Sequence, residues 1–330
     1  MKISIYGMGA IGGLFAARLA EHGHEVSAVA RGATLLALQQ HGVRVVGPDG
    51  TRNFAVRAEA DPALLGPQDL IILAVKGPAL AAVASTIAPL IGPHTVIINA
   101  MNGVPWWFFE PAHLPYSGTR LNSIDADGAL SRVMPVAQIL GCVVHLSSSC
   151  PEPGLIKTGF GNTLILGEPG GGISARLSEI AKTLSAAGFD VEETANIRQQ
   201  IWYKLWGNMT MNPVSAITGA TCDLILADPL VSQFCLNVMQ EAALIGAKIA
   251  CPIQQSGEDR NAITRSMGAF KTSMLQDAEA GKALEIDALV GVVREIGQMV
   301  GVATPAIDSL LGLARLFGRT HGLYPAAIQR

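Results

Sequence analysis

Charge is scarce in this sequence. Asp, Glu, Lys and Arg make up 15% of its 330 residues, against 49% hydrophobic residues. That balance argues against long disordered stretches and for a large buried interior. The length exceeds what one core usually serves, so two domains are expected. The net charge of -3 offers no attraction to nucleic acid or to an anionic membrane. Cysteine is sparse as well: Cys142, Cys150, Cys222, Cys235 and Cys251 are odd in number and contain no C-x-x-C pair. A disulfide frame and a cysteine zinc site both fall away, leaving reduced thiols in a cytoplasmic protein. No His/Asp/Glu cluster has metal-ligand spacing, so no metal is expected. Internal repeats and low-complexity tracts are missing. The uncharged run from Gly77 to Phe109 is long, but Pro78, Pro89, Pro93, Asn99 and Asn102 break it into helix, strand and loop. No membrane span is expected there. A signal peptide is disfavoured by Arg18, Glu21 and the lack of a clean cleavage site after Lys2.

Glycine is plentiful, and at the N-terminus it is patterned. Ile3 and Ile5 mark a short apolar strand, and apolar spacing turns helical at Ile11, Leu14, Phe15 and Leu19. Between them runs Gly7-Met8-Gly9-Ala10-Ile11-Gly12, a G-x-G-x-x-G in a strand-turn-helix setting. Gly7 permits a tight turn, Gly9 lets backbone N–H groups approach a pyrophosphate, and Gly12 lets the helix pack closely on the strand. Dinucleotide binding is expected; a glycine-rich turn in some other α/β protein is the plainer account. The second strand, His24 to Ala30, ends at Arg31, and no acid stands between Val26 and Val43. An NAD enzyme usually carries an acid here for the ribose hydroxyl, while an NADP enzyme tends to place an arginine nearby. NADP is favoured, with a solvated loop arginine as the plainer alternative.

A helix over 34–40 and a hairpin of 43–46 with 54–57 across Gly47-Pro48-Asp49-Gly50 are expected next. Asp69 to Val75 is a buried parallel strand. An alanine-rich helix to Leu90 and a strand over 95–99 follow. Lys76 and Asn102 both follow strand ends, where open α/β sheets bind ligands, although loop solvation explains them as well. Trp106-Trp107-Phe108-Phe109 reads as core, as an interface patch, or as a wall over a nicotinamide pocket. A strand over 138–146 precedes an expected hairpin of 154–158 with 162–166, turning at Gly159-Phe160-Gly161. A helix over 174–187 and a strand over 189–192 complete a doubly wound parallel sheet. From about Thr194 the pattern is helical only, so residues 1–193 and 194–330 are the expected domains. The first of these helices should run from Asn196 to Met211, since Pro213 disfavours continuation through Asn212. It carries Lys204, Asn208 and Asn212 at i, i+4, i+8, on one face among large apolar neighbours. Such a stripe costs stability unless it faces solvent or a ligand. A capping or salt-bridge role is the plainer reading of Glu285.

These blocks together identify a resemblance. GMGAIG at Gly7–Gly12, Arg31, VKG at Val75–Gly77, NGV at Asn102–Val104, K-L-W-G-N-x-x-x-N-P at Lys204–Pro213 and SMLQD…EID at Ser273–Asp287 are similar to the ketopantoate reductase (2-dehydropantoate 2-reductase) family. The similarity covers nearly the whole chain. It implies a Rossmann-type domain followed by a helical domain like that of 6-phosphogluconate dehydrogenase, with the active site in the cleft between them. It further implies NADPH-dependent reduction of a 2-oxo acid, foremost 2-dehydropantoate to (R)-pantoate in pantothenate biosynthesis. Gly7, Met8, Gly9, Ala10, Ile11, Gly12, Arg31, Lys76, Asn102, Ala126 and Glu285 would then hold NADP(H). Lys204 would donate the proton with Glu285 beside it, and Asn208, Asn212 and Ser273 would bind the substrate's oxygens. A small-molecule 2-oxo acid is the expected partner, with no nucleic acid or membrane, and a homodimer is left open. Cys222 stands where many members carry Asn, a difference bearing on which 2-oxo acid is taken. Two rival readings remain: a reductase of a different 2-oxo acid or β-hydroxyacid, and a non-catalytic NADPH-binding sensor. The sensor would need the glycine turn and Arg31 but not Lys204.

Overall fold

The computed structural model describes residues 1–47 and 50–326. In chain order the first elements are β1 (Lys2–Tyr6), α1 (Ala10–Glu21), β2 (Glu25–Val29), α2 (Gly32–His41), β3 (Val43–Gly47), β4 (Gly50–Phe54), β5 (Arg57–Glu59), β6 (Gln68–Leu73), α3 (Leu80–Thr86) and β7 (Ile91–Asn99). Then come α4 (Asn122–Asp125), α5 (Ala129–Val133), β8 (Ile139–Glu152), β9 (Leu155–Gly167), α6 (Ala175–Ala186) and β10 (Asp190–Glu193). The remaining helices are α7 (Ile197–Thr218), α8 (Cys222–Ala227), α9 (Pro229–Lys248), α10 (Gly257–Ser266), α11 (Ser273–Glu279), α12 (Val292–Met299) and α13 (Pro305–Thr320). The chain forms two compact units, Met1–Ala112 with Gly128–Arg198, and His113–Asp127 with Gln199–Arg330. The main change-over falls between Arg198 and Gln199. The excursion His113–Asp127, which sequence patterning assigns to the first domain, groups with the second unit.

The first unit is one sheet in the order β4-β3-β9-β8-β7-β6-β1-β2-β5, with β10 paired to β9. From β8 through β7, β6, β1 and β2 to β5 every pairing is parallel. This is the Rossmann-type arrangement, and its strands are apolar on both sides because helices cover both faces. On one face Ile3, Ile5, Leu70, Ile72, Ile98 and Leu140 pack against Leu14, Phe15 and Leu19 of α1 and Leu177, Ile180 and Leu184 of α6. On the other face, the Tyr6 hydroxyl lies 2.5 Å from Thr86 Oγ1 on α3.

Trp106–Phe109 forms a single 3-10 turn and is buried throughout, with Trp107, Phe108 and Phe109 fully inaccessible. A Cβ added to Gly141 in β8 would come 2.9 Å from the Trp107 ring, so that ring lies on the sheet backbone. The Arg198 guanidinium stacks over Phe108 at 4.4 Å. The aromatic run is therefore core of the first unit, one of the three readings its sequence allows.

Three expected elements are corrected. Strand β4 is Gly50–Phe54, starting four residues and ending three residues before the expected second arm, while Arg57–Glu59 pairs in parallel with β2 instead. Of the expected turn, Pro48 and Asp49 lie outside the described residues. The hairpin expected around Gly159-Phe160-Gly161 is one continuous strand, β9, antiparallel to β8. The chain reverses at Pro153-Gly154, where Gly154 has φ +71, and Gly161 (φ +75) marks an irregularity in the ladder. Helix α7 continues to Thr218 with Pro213 inside it. Val214, Ser215 and Ala216 beyond the proline are all buried, and that packing outweighs the local preference of the Asn-Pro pair.

The second unit contains helices only among the described residues. The Trp202 and Trp206 indole N–H groups of α7 donate to the carbonyls of Ala242 and Met239 in α9, at 3.3 and 2.8 Å. Two half-buried carboxylates cap neighbouring helices. Glu241 of α9 accepts from the Ala306 and Ile307 amides, both at 2.9 Å, and Glu295 of α12 accepts from Asn122 and Ser123 at 2.6 and 2.8 Å. A carboxylate at a helix N-terminus satisfies orphan N–H groups and suits the dipole. The Glu295 contacts tie α4, and with it the excursion, into the second unit.

Candidate active site

Four loops gather at the C-terminal edge of β2, β1, β6 and β7, where the strand order changes direction around β1. In such sheets this is where ligands bind. Gly7 follows β1 with φ +103, a conformation that L side chains rarely adopt. A Cβ there would also come 2.7 Å from Val75 Cγ1, so the glycine turn and the Val75-Lys76 loop are brought side by side. At Gly12 a Cβ would stand 1.9 Å from the Gly7 carbonyl oxygen. The protein's own packing therefore explains both of these glycines.

Gly9 is different. It is exposed, its φ of -80 and ψ of -161 suit any residue, and a Cβ there would meet nothing within 4 Å. It is also the N-cap of α1 and has no side chain to accept from the helix's first amides, while the first turn holds no acid. The site can take an anion held close to the backbone. Met8 is 7% exposed and Ile11 packs on the core, so both could offer a ligand mainly their backbone.

Arg31 is exposed at the tip of β2 as the N-cap of α2, and among the described residues its guanidinium has no hydrogen-bond or ionic partner. Lys76 is half-buried at the N-cap of a 3-10 turn over Gly77–Ala79, and Asn102 is half-buried two residues before Val104. Ala126 is exposed at the C-cap of α4, in the second unit. The residues of the first unit thus fit a dinucleotide: a bare glycine cradle, open helix amides and an unpaired cation one strand away.

In the second unit, α7 presents the stripe in one piece. Lys204 and Asn208 are half-buried, and Asn212 is 5% exposed. Among the described residues the Asn212 amide has no hydrogen-bond partner, although its atoms retain some accessibility. A nearly buried, unpartnered amide is costly unless a ligand or water satisfies it. Ser273 is exposed at the first position of α11, whose Thr272 N-cap accepts from Leu275 N at 3.2 Å. Glu285 is half-buried, two residues before a π-helical turn at Asp287–Gly291. Such turns are frequent at functional sites.

The segment carrying Glu285 is bracketed on both sides. Leu284 N donates to Leu323 O at 2.9 Å, and Asp287 accepts from Arg315 at 2.9 Å and from the Tyr324 hydroxyl at 2.7 Å. Cys222 is 1% exposed, and burial together with the Asp223 charge pushes its thiol up to about 11. It is a neutral, apolar filler at ordinary pH. Sequence reasoning missed Gly13, whose Cβ would press 2.4 Å from Ile156 Cδ1 where α1 meets β9. It missed Arg260 too, which lies against α7 from a separate helix. Neither had a local signal, because each is defined by a partner distant in sequence.

Comparison with known proteins agrees with this layout. The profile described as "Ketopantoate reductase PanE/ApbA" matches residues 3–105, and its C-terminal counterpart matches residues 196–317. A 2-dehydropantoate 2-reductase of Mesorhizobium japonicum is 42% identical over 98% of this chain and 100% of its own. A crystal structure from Ralstonia solanacearum MolK2, of a protein provisionally described as a ketopantoate reductase, superposes with a TM-score of 0.95 at 57% identity. It covers 98% of this chain and 99% of that one. The 2-dehydropantoate 2-reductase of Geobacter metallireducens GS-15 gives a TM-score of 0.83 at 27% identity, covering 96% and 99%. Motifs, fold and relatives agree, and the chain belongs to the ketopantoate reductase family of oxidoreductases.

Proposed function

We propose that the protein reduces 2-dehydropantoate to (R)-pantoate, using NADPH. The observation that carries this reading is the α7 stripe: a half-buried lysine in line with two asparagines, one of them nearly buried and unpartnered. Relatives named 2-dehydropantoate 2-reductase over their full length support it.

Bound NADPH supplies the hydride. Gly7, Gly9 and Gly12 cradle its pyrophosphate with the first amides of α1, and Arg31 answers the 2′-phosphate. Lys76 and Asn102 line the remainder of the cofactor site in the first unit. As charge develops on the 2-oxo oxygen, the Lys204 ammonium donates a hydrogen bond to it and then gives up its proton, leaving a neutral amine and a hydroxyl. Glu285 orients the ammonium. Asn208, Asn212 and Ser273 hold the substrate's other oxygens, and substrate oxygen satisfies the Asn212 amide.

A second reading, reduction of a different 2-oxo acid, draws on Cys222. A buried neutral thiol replaces the amide that many members carry and offers less to a polar substrate tail. Loss of reduced-nicotinamide absorbance, followed across a panel of 2-oxo acids, tests both readings. The first expects the highest kcat/KM with 2-dehydropantoate, and a clear preference for another acid would replace it with the second.

A further inference from the structure

Arg260, on α10, lays its guanidinium against the helix that carries Lys204 and Asn208. A Cβ built on Gly207 would come 3.0 Å from its Nη2, 3.1 Å from Nε and 3.3 Å from Cζ. Glycine inside a helix is destabilising by roughly 0.5–1 kcal/mol relative to alanine. Here its bareness is what lets the guanidinium reach the helix surface. The same group lies 5.5 Å from the centre of the Tyr203 ring, whose hydroxyl donates to Gln255 at 2.6 Å. Arg260 is half-buried, and its Nε is buried with no hydrogen-bond partner. Among the described residues no carboxylate pairs with it. Asp259 beside it in sequence is engaged by Ser256 at 2.7 Å.

A partly buried cation without a counter-charge is costly, whereas one that meets an anionic ligand is not. The substrate site as read above lacks such a cation for one group. Asn208, Asn212 and Ser273 are neutral, Glu285 repels an anion, and Lys204 is committed to the 2-oxo oxygen. A 2-oxo acid brings a carboxylate as well. Gly207 immediately precedes Asn208 and lies about one helical turn from Lys204, so Arg260 sits on the flank of that stripe. A planar guanidinium fork matches a carboxylate bidentately.

We propose that Arg260 binds the carboxylate of the 2-oxo acid, an inference that rests on reading the site as a 2-oxo acid reductase. The test is initial-rate kinetics of the full-length protein and its Arg260→Leu and Arg260→Lys variants. Each is assayed with 2-dehydropantoate and with its neutral lactone as substrate or competitive inhibitor. The expected result is a KM for the acid raised roughly ten- to a hundred-fold in Arg260→Leu, the value of a charge-assisted contact. The lactone's constant and the NADPH dissociation constant measured without acid should stay unchanged. Arg260→Lys should recover part of the loss, and it serves alone if the leucine variant does not fold. An unchanged KM for the acid in a folded variant, or equal losses with acid and lactone, overturns the proposal. A wild-type protein inert toward every 2-oxo acid would instead remove the reductase reading beneath it.

Discussion

Replacing Gly9 with alanine separates what a glycine does for the fold from what it does for a ligand. The backbone at Gly9 has φ -80 and ψ -161, which alanine adopts without strain, and the added methyl would meet no atom within 4 Å. The folded state therefore loses nothing. The unfolded chain loses conformational freedom, so stability should be equal or higher by about 0.4–1 kcal/mol. The methyl stands instead where a pyrophosphate must approach the opening amides of α1. Losing one charge-assisted hydrogen bond there is worth roughly 1.5–3 kcal/mol, or about ten- to a hundred-fold in affinity. Gly12→Ala is the contrasting control, because its methyl would lie 1.9 Å from the Gly7 carbonyl oxygen and must disrupt the turn itself. Thermal melting paired with fluorescence titration of NADPH reads both quantities. Gly9→Ala should melt normally and bind weakly, whereas Gly12→Ala should melt early. Normal NADPH affinity in a normally folded Gly9→Ala would refute the cradle.

Arg31→Ala should erase most of the preference for NADPH over NADH, read as the ratio of their kcat/KM values; equal use of both by the unmodified protein would dismiss the 2′-phosphate contact. Trp107→Ala should cost about 3–5 kcal/mol, as for other large buried aromatics, and leave the ranking among 2-oxo acids unchanged, since the ring is fully buried against the sheet. Burial alone would raise the Glu168 carboxyl, but hydrogen bonds from Arg176 and Ser174 and the Arg176 charge outweigh it and hold it below the ordinary carboxylate range. A depressed folded-state value means that this stability is present above the unfolded value, about 4.3, and is lost as pH falls through the folded one. The acid limb of melting temperature against pH should therefore be shallower in Glu168→Gln.

What the sequence made legible was local. The turn from Gly7 to Gly12 is short enough for its chemistry to be written in consecutive residues, and the Lys204, Asn208 and Asn212 stripe needs only one helix to bring it together. Long-range contacts were not legible. Gly159-Phe160-Gly161 looks like a hairpin turn, but Ser147 across the ladder accepts from Phe160 N at 2.8 Å and keeps the strand running. Pro213 looks like a stop, yet burial of the next turn carries α7 through it. Nothing in residues 113–127 announces that Glu295, far along the chain, caps α4 and draws that segment into the helical unit. Arg260 is a similar case, since Gly207 gives it room only once α10 has folded onto α7.

The account's central claim is that Lys204 is the proton donor of a 2-oxo acid reductase. The most direct measurement is turnover of 2-dehydropantoate with saturating NADPH by the wild-type protein and by Lys204→Ala. Losing a positioned general acid should lower kcat on the order of 10²–10⁴-fold, with NADPH affinity nearly unchanged because the glycine turn and Arg31 remain. A near-normal kcat in Lys204→Ala would contradict the mechanism and take the lysine out of it.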